Sequence, residues 1–307
     1  MSRTPAWWRC AWPAISQAQR HQAGVRLPFC IAQAGRPELA GSVARAHLPV
    51  LARWPQALRQ TPKRLLMTLP ADERDDFFAD ANRWLHAQGL LIGWRDETYA
   101  LRALPAPGRP AAADAPLLAR LERTAARFWG SSTCGAHCNG YLADGDGRPS
   151  HLWIARRAFD KPTDPGLLDN LIGGGVPWGQ SAAACVQREG WEEAGLTPAQ
   201  MTGLRPGRRI AVHRDIVEGL QLEDLSSFDL LLPPNLQPVN QDGEVHSHML
   251  MPVDQALRCA AAGEMTVDAA LVTLDFALRH ALLPAPAQQR LGAACAPLWL
   301  GPARLDP

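Results

Sequence analysis

A chain of 307 residues can bury roughly three quarters of its unfolded surface, enough for one substantial core and a smaller companion. Its 31 basic and 30 acidic side chains leave a formal net charge of +1, which gives no electrostatic footprint for nucleic acid or an anionic membrane, and neither partner is expected. Seven scattered cysteines form no disulfide framework and suit a reducing, cytoplasmic setting, and no run reaches the length of a signal peptide's apolar core or a membrane span.

Residues 1–24, with Trp7, Trp8 and Trp12 broken by Pro5 and Pro13, read as a loosely packed N-terminal extension. Residues 25–104 read as a small α+β unit. It has a strand at Arg26 to Ala32, a helix from Gly41 to Leu51, and a helix from Pro70 to Gly89 whose leading Asp72 and Glu73 suit its positive end. Leu90 to Trp94 and Thr98 to Leu101 flank Asp96-Glu97 and predict a hairpin. Prolines and alanines crowd Ala103 to Pro116, so residues 105–116 are the best linker. Nothing to this point offers catalytic spacing.

Beyond the linker, Leu117 to Trp129 predicts a helix with Leu117, Leu118, Leu121, Ala125 and Phe128 on its apolar side. His137 to Ala143 and His151 to Arg157 flank the turn Asp144-Gly145-Asp146-Gly147 and predict an antiparallel pair. Cys134, His137 and Cys138 invite a zinc reading, but no second ligand pair comes after them at finger spacing, and the segment reads as strand. Arg156, Arg157 and Lys161 precede a glycine-rich loop, where they can meet a phosphate or stand solvated.

The stretch Gly173 to Leu196 organises the chain. A glycine turn lets backbone approach a ligand, Ser181 is placed to cap a helix, and Gly195 supplies a left-handed stop. Glu189, Glu192 and Glu193 fall on one helical face, where three carboxylates can serve a hard divalent cation or simply meet solvent. Ala183, Val186, Gly190 and Ala194 form a small-residue face for packing on a sheet. Further strands come at Arg209 to Glu218 and Ser226 to Leu232, and a turn at Asn240 to Val245 leads into another. Glu244 in that turn is either solvated, a metal ligand or a water-activating base. Helices at Pro252 to Ala262 and Asp268 to Leu283 close the unit at residue 285, leaving 286–307 as a peripheral tail.

The central stretch resembles the Nudix box, G-x5-E-x7-R-E-U-x-E-E-x-G-U, at Gly174, Arg188, Glu189, Glu192, Glu193, Gly195 and Leu196. It departs at Gln180, where the box has glutamate, and at Gly190, where it has an aliphatic residue. Around it, Asp169-Asn170, Glu218 to Gln221, Phe228 to Leu230, Asp242 to Val245 and Ala269 to His280 resemble one Nudix branch, the thiamine-diphosphate-related group with a small N-terminal domain of unknown function. The resemblance implies an α/β fold, a Nudix α/β/α sandwich with a mixed sheet at 117–285 preceded by the small α+β domain. It also implies Mg2+, with Mn2+ as a substitute, and hydrolysis of thiamine diphosphate or its damaged oxo forms to the monophosphate. The box by itself equally allows a nucleoside diphosphate-linked substrate such as ADP-ribose, and Gln180, Gly190 and His246 leave room for a non-catalytic ligand-binding domain.

By the resemblance, Glu189, Glu192 and Glu193 are the metal ligands, Glu244 or Glu192, with His246 third, activates water, and Arg188 orients a glutamate. Gly174, Gly175, Arg156, Lys161 and Trp178 are expected to bind the small-molecule diphosphate, Trp178 as a wall for its ring. The first domain is expected to be a lid or an interface, the latter making a homo-oligomer.

Overall fold

The structure is a computed structural model and describes residues 7–305. Short α1 (Pro13–Gln17) precedes β1 (Arg26–Gln33), β2 (Arg36–Ala44), α2 (Leu48–Leu51), β3 (Leu58–Gln60), β4 (Leu65–Met67) and α3 (Arg74–Ala87). The four strands form one sheet in the order β2-β1-β4-β3. Where a helix is expected from Gly41, the chain stays in β2 as far as Ala44. Ala34 and Gly35 take positive φ and fold β2 back along β1, so a cross-strand ladder overrides local propensity.

The hairpin expected at Leu90 to Leu101 is also absent. Instead β5 (Thr98–Arg102) pairs with β6 (Leu117–Glu122), across the expected linker. The helix expected from Leu117 starts only at α4 (Arg123–Trp129), because the Glu122 carboxylate accepts from the Thr124 and Ala125 amides and caps it there. Leu118, Leu121, Phe128 and Trp129 fill one core with Leu27, Phe29 and Phe78, so these residues pack with the first sheet rather than with the larger unit after it. Leu104 and Ala111, at either end of the proline-rich loop, bury against Leu220 and Leu222.

The larger unit runs through β7 (Ser132–Ala143), β8 (Pro149–Arg157), β9 (Leu168–Asp169), β10 (Ile172–Gly175), α5 (Ala182–Ala194), β11 (Arg205–Ile216), β12 (Gly219–Leu231), β13 (Val245–Pro252), α6 (Val253–Ala262), α7 (Val267–Arg279), α8 (Ala285–Cys295) and β14 (Trp299–Pro302). Its sheet has the order β13-β8-β7-β12-β11-β14, with β10 on β7 and β9 on β8. It is mixed, since β7 and β12 run parallel while β7 and β8 run antiparallel. The period of two sends Tyr141, Leu152 and Ile154 to one face, under α6 and α7, and Ala136, Cys138 and Trp153 to the other, under α5. The result is an α/β/α sandwich.

Segments near both ends of the described residues are tied in. Trp12, Ala14 and Ala18 enter the core around α6 and α7. The tail expected to be peripheral contributes Leu291, Cys295 and Leu298 to the same core, and β14 extends the sheet along β11. No helix among the described residues is long and apolar enough to cross a membrane.

Candidate active site

Helix α5 forms where its residues require. The Ser181 hydroxyl accepts from the Ala184 amide at 3.2 Å, and Gly195 ends the helix at φ 66°. Ala183, Val186, Gly190 and Ala194 are all buried against the sheet. Gly190 has a specific reason: a Cβ there would stand 2.6 Å from the Met201 sulfur. This close packing explains why the helix tolerates a glycine.

The three box glutamates diverge. Glu193 turns inward and accepts from the Gly173 amide at 2.8 Å, and burial, then the charge of Glu189, pushes its carboxyl well above the usual range. Glu192 turns outward to Arg188 Nη1 at 2.6 Å. Glu189 lies between them, 2.8 Å from Arg188 Nη2, and burial pushes it up to about 7 against the pull of that arginine. Arg188 thus spans Glu189 and Glu192. Among the described residues no group of three or more His, Cys, Asp or Glu side chains stands close enough to hold a metal ion. The expected triad is not assembled because the Gly173 amide and Arg188 draw two of its members apart.

Glu189 faces a cleft of about 190 Å³, whose wall on one side is the glycine strand Gly173 to Gly175. Arg95, Arg123, Arg127, Arg157, Lys161 and Arg214 line it together with Asp169, Glu189, Glu223, Glu244 and Asp268. Nearly every cation has a partner. Arg157 pairs with Asp169 at 2.9 Å, Arg127 with Glu223 at 2.9 Å, Arg123 with Glu97 at 3.1 Å, and Arg95 with Glu244 at 3.0 Å. Lys161 makes a second ion pair to Glu244. Burial raises the Glu244 carboxyl, but Lys161 and then Arg95 outweigh it and hold the group below the usual range. The cations of the cleft are already paired with carboxylates, so a diphosphate has to displace part of that pairing. The oxygen donors of Glu189, Glu192 and Glu193 are of the type Mg2+ takes, and a cation held by them would neutralise part of the added negative charge.

The structure brings Gly174, Gly175, Lys161, Glu189 and Glu244 to this cleft. Three expected substrate contacts and water activators lie elsewhere. Arg156 donates to the Gly166 carbonyl at 2.8 Å, and its neighbour Arg157 takes the place in the cleft. Trp178 is exposed and stacks under the Arg120 guanidinium at 4.9 Å, tethered through its amide to the Thr98 carbonyl. Glu192 does not line the cleft, whose apolar lining is Ile92, Pro162 and Ile216. Gln180 is exposed on the turn before α5, and His246 is exposed with its ring edge against Phe159. Of the segments that pick out the branch, buried Asp229 on β12 pairs with half-buried Arg279 at the end of α7, and His280 Nε2 lies 3.1 Å from the same carboxylate.

Tyr99, Arg123, Arg127, Glu223 and Asp268 also line the cleft and are not singled out by any motif in the sequence. The spacing of Arg123 and Arg127, four apart on the polar side of a segment with helical periodicity, is the signal that could find two of them. Tyr99 and Glu223 reach the cleft only through long-range strand pairing, and Asp268 from the first turn of α7.

Residues 138–272 match the NUDIX domain family. Nudix hydrolase 20, chloroplastic, of Arabidopsis thaliana is 36% identical over 224 residues, which cover 71% of this chain and 56% of that protein. Nudix hydrolase 24, chloroplastic, of the same plant is 35% identical over 218 residues, covering 69% of this chain and 56% of that protein. The chain therefore spans just over half the length of these relatives. Among solved structures, DR0079 from Deinococcus radiodurans aligns with a TM-score of 0.39 at 21% identity, covering 55% of this chain and 96% of that one. With the box in register on α5 and the family's domain matched around it, the chain belongs to the Nudix superfamily.

Proposed function

We propose that this protein is a Mg2+-dependent hydrolase of a phosphoanhydride bond, acting on thiamine diphosphate or its oxidised forms and releasing the monophosphate. The observation that carries the reading is the cleft itself, where guanidinium and ammonium groups meet carboxylates across a strand of bare glycines. Hydrolysis of a diphosphate needs charge neutralisation and a positioned water rather than covalent help from the protein. Arg123, Arg157 and Lys161 bind the anionic oxygens, exchanging part of their present pairing for phosphate. Gly174 and Gly175, lacking side chains, let the Glu189 carboxylate and the Tyr99 hydroxyl press against the strand beside the cleft. Glu244, kept ionised by two cations, accepts a hydrogen bond from the attacking water and orients it. Arg188 holds the rotamers of Glu189 and Glu192. Glu189, Glu192 and Glu193 would hold Mg2+, which would supply the remaining neutralisation of the leaving phosphate.

The thiamine assignment rests on the flanking segments that mark the branch, of which Asp169, Glu218, Gln221 and Glu244 line the cleft. The test is phosphate release with product identification from oxo-thiamine diphosphate, thiamine diphosphate and ADP-ribose, with Mg2+ and with chelator, for the parent and Glu189→Gln. Metal-dependent conversion of the thiamine compounds, lost in the variant, is expected. Turnover of ADP-ribose alone would reject the substrate, and binding without turnover would reject the enzyme.

A further inference from the structure

The cleft is not built from the NUDIX domain alone. Residues 138–272 carry the box, yet Arg95, Tyr99, Arg123 and Arg127, ahead of that range, line the same cavity. Tyr99 is the informative one. It lies on β5, is only 3% exposed, and its hydroxyl has no hydrogen-bond partner in the protein. A buried hydroxyl left unpaired costs stability, and an acceptor oxygen brought into the cleft would relieve that cost.

Its position says which ligand. A Cβ on Gly175 would stand 1.8 Å from the Tyr99 hydroxyl and 3.1 Å from the Arg123 guanidinium carbon, so both groups converge on the last residue of the glycine strand. The next glycine back, Gly174, abuts the Glu189 carboxylate. Arg123 is fixed from behind by Glu97 through both carboxylate oxygens, at 3.2 and 3.1 Å, and lies 5.8 Å from the Tyr99 ring centre. Burial pushes the phenol well above its ordinary range, so it stays protonated and able to donate. A hydroxyl donor beside a guanidinium, over bare backbone, is a receptor for an anionic oxygen.

We propose that the Tyr99 hydroxyl donates to a diphosphate oxygen beside Arg123, so that the segment ahead of the NUDIX domain supplies one wall of the active site. This rests on the diphosphate hydrolase reading and deepens it, giving the N-terminal unit a part in substrate binding. Tyr99 is a binding group here, with no proton to transfer.

The experiment is calorimetric titration of the full chain with inorganic pyrophosphate and Mg2+, for the parent and Tyr99→Phe, with thermal midpoints measured on the same samples. Loss of one charge-assisted hydrogen bond should weaken binding about tenfold. The midpoint should not fall, because the hydroxyl removed had no partner, whereas a merely structural tyrosine would lose stability and keep its affinity. In turnover the effect should appear mainly in KM. Equal affinities in parent and variant, or no binding of pyrophosphate to the parent, would overturn the proposal. The two readings separate cleanly: turnover of a diphosphate with equal affinities removes Tyr99 and leaves the hydrolase, while Tyr99-dependent binding without turnover keeps Tyr99 and removes the hydrolase.

Discussion

Gly174 and Glu189 face each other so closely that a Cβ on residue 174 would lie 2.1 Å from Glu189 Oε1. The obstacle is the far end of a flexible side chain, so Gly174→Ala should displace the carboxylate rather than unfold the chain. Its stability should change by no more than about 1 kcal/mol. Its kcat should fall at least about tenfold, because the displaced group is the box glutamate that faces the cleft. A folded variant with parental kcat would show that the position of Glu189 is immaterial.

The same carboxylate makes stability depend on pH. Burial, opposed by Arg188 and reinforced by Glu192, pushes Glu189 up to about 7 from an ordinary 4.5. Between those values the folded protein holds a proton that the unfolded chain has lost, so this group's contribution falls as pH rises through the window. Arg123, Glu193 and Cys185 also face it, and other carboxylates pull the opposite way, so the useful quantity is the difference between parent and Glu189→Gln. Urea unfolding at pH 5 and pH 8 should show the parent losing about 2.5 kcal/mol relative to the variant. Mg2+ at pH 8 should restore part of that loss in the parent alone. A difference that does not change with pH would remove the argument.

Gly190 offers a test of packing alone. Restoring the aliphatic residue of the box with Gly190→Leu gains about 1 kcal/mol of helix propensity. It also drives a side chain into Met201, whose Sδ and Cε stand 2.6 and 2.8 Å from the Cβ position, and toward Ile172. Overpacking of this kind costs about 1–3 kcal/mol, so a net loss is expected. Met201→Ala in the same chain should recover much of it. Equal losses with and without Met201 would place the strain elsewhere.

Legibility in the sequence tracks the range of the interactions involved. Helix α5, its Ser181 cap and Gly195 stop, and the pairing of β7 with β8 are written in local spacing, and the structure contains them. The segment from Leu117 reads as helix because Leu118, Leu121, Ala125 and Phe128 suit a period near four. A capping Glu122 and the pairing of β6 with β5 across the proline-rich loop decide otherwise. At the site, glycines and glutamates announce themselves by motif. The rotamers of Glu192 and Glu193 depend on Arg188 and the Gly173 amide, which no linear spacing contains. Arg156 and Arg157 show the smallest such gap: adjacent strand residues point to opposite faces, and only the register of β8 chooses between them.

That long-range pairing also sets what can be removed. A fragment starting at residue 105 would lose β5, the partner of β6, and uncover Leu118, Phe128 and Trp129, which share a core with Phe29 and Phe78. It would also lose Trp12, 4% exposed in the core around α6 and α7. Such a fragment should be insoluble or unfolded, rather than a folded hydrolase with a raised KM. Trp12→Ala in the full chain isolates the second contribution and should cost about 3–5 kcal/mol, read from the shift in urea midpoint. A soluble fragment with a cooperative transition, or a Trp12→Ala loss below about 1 kcal/mol, would mean that the larger sheet stands without the chain's first hundred residues.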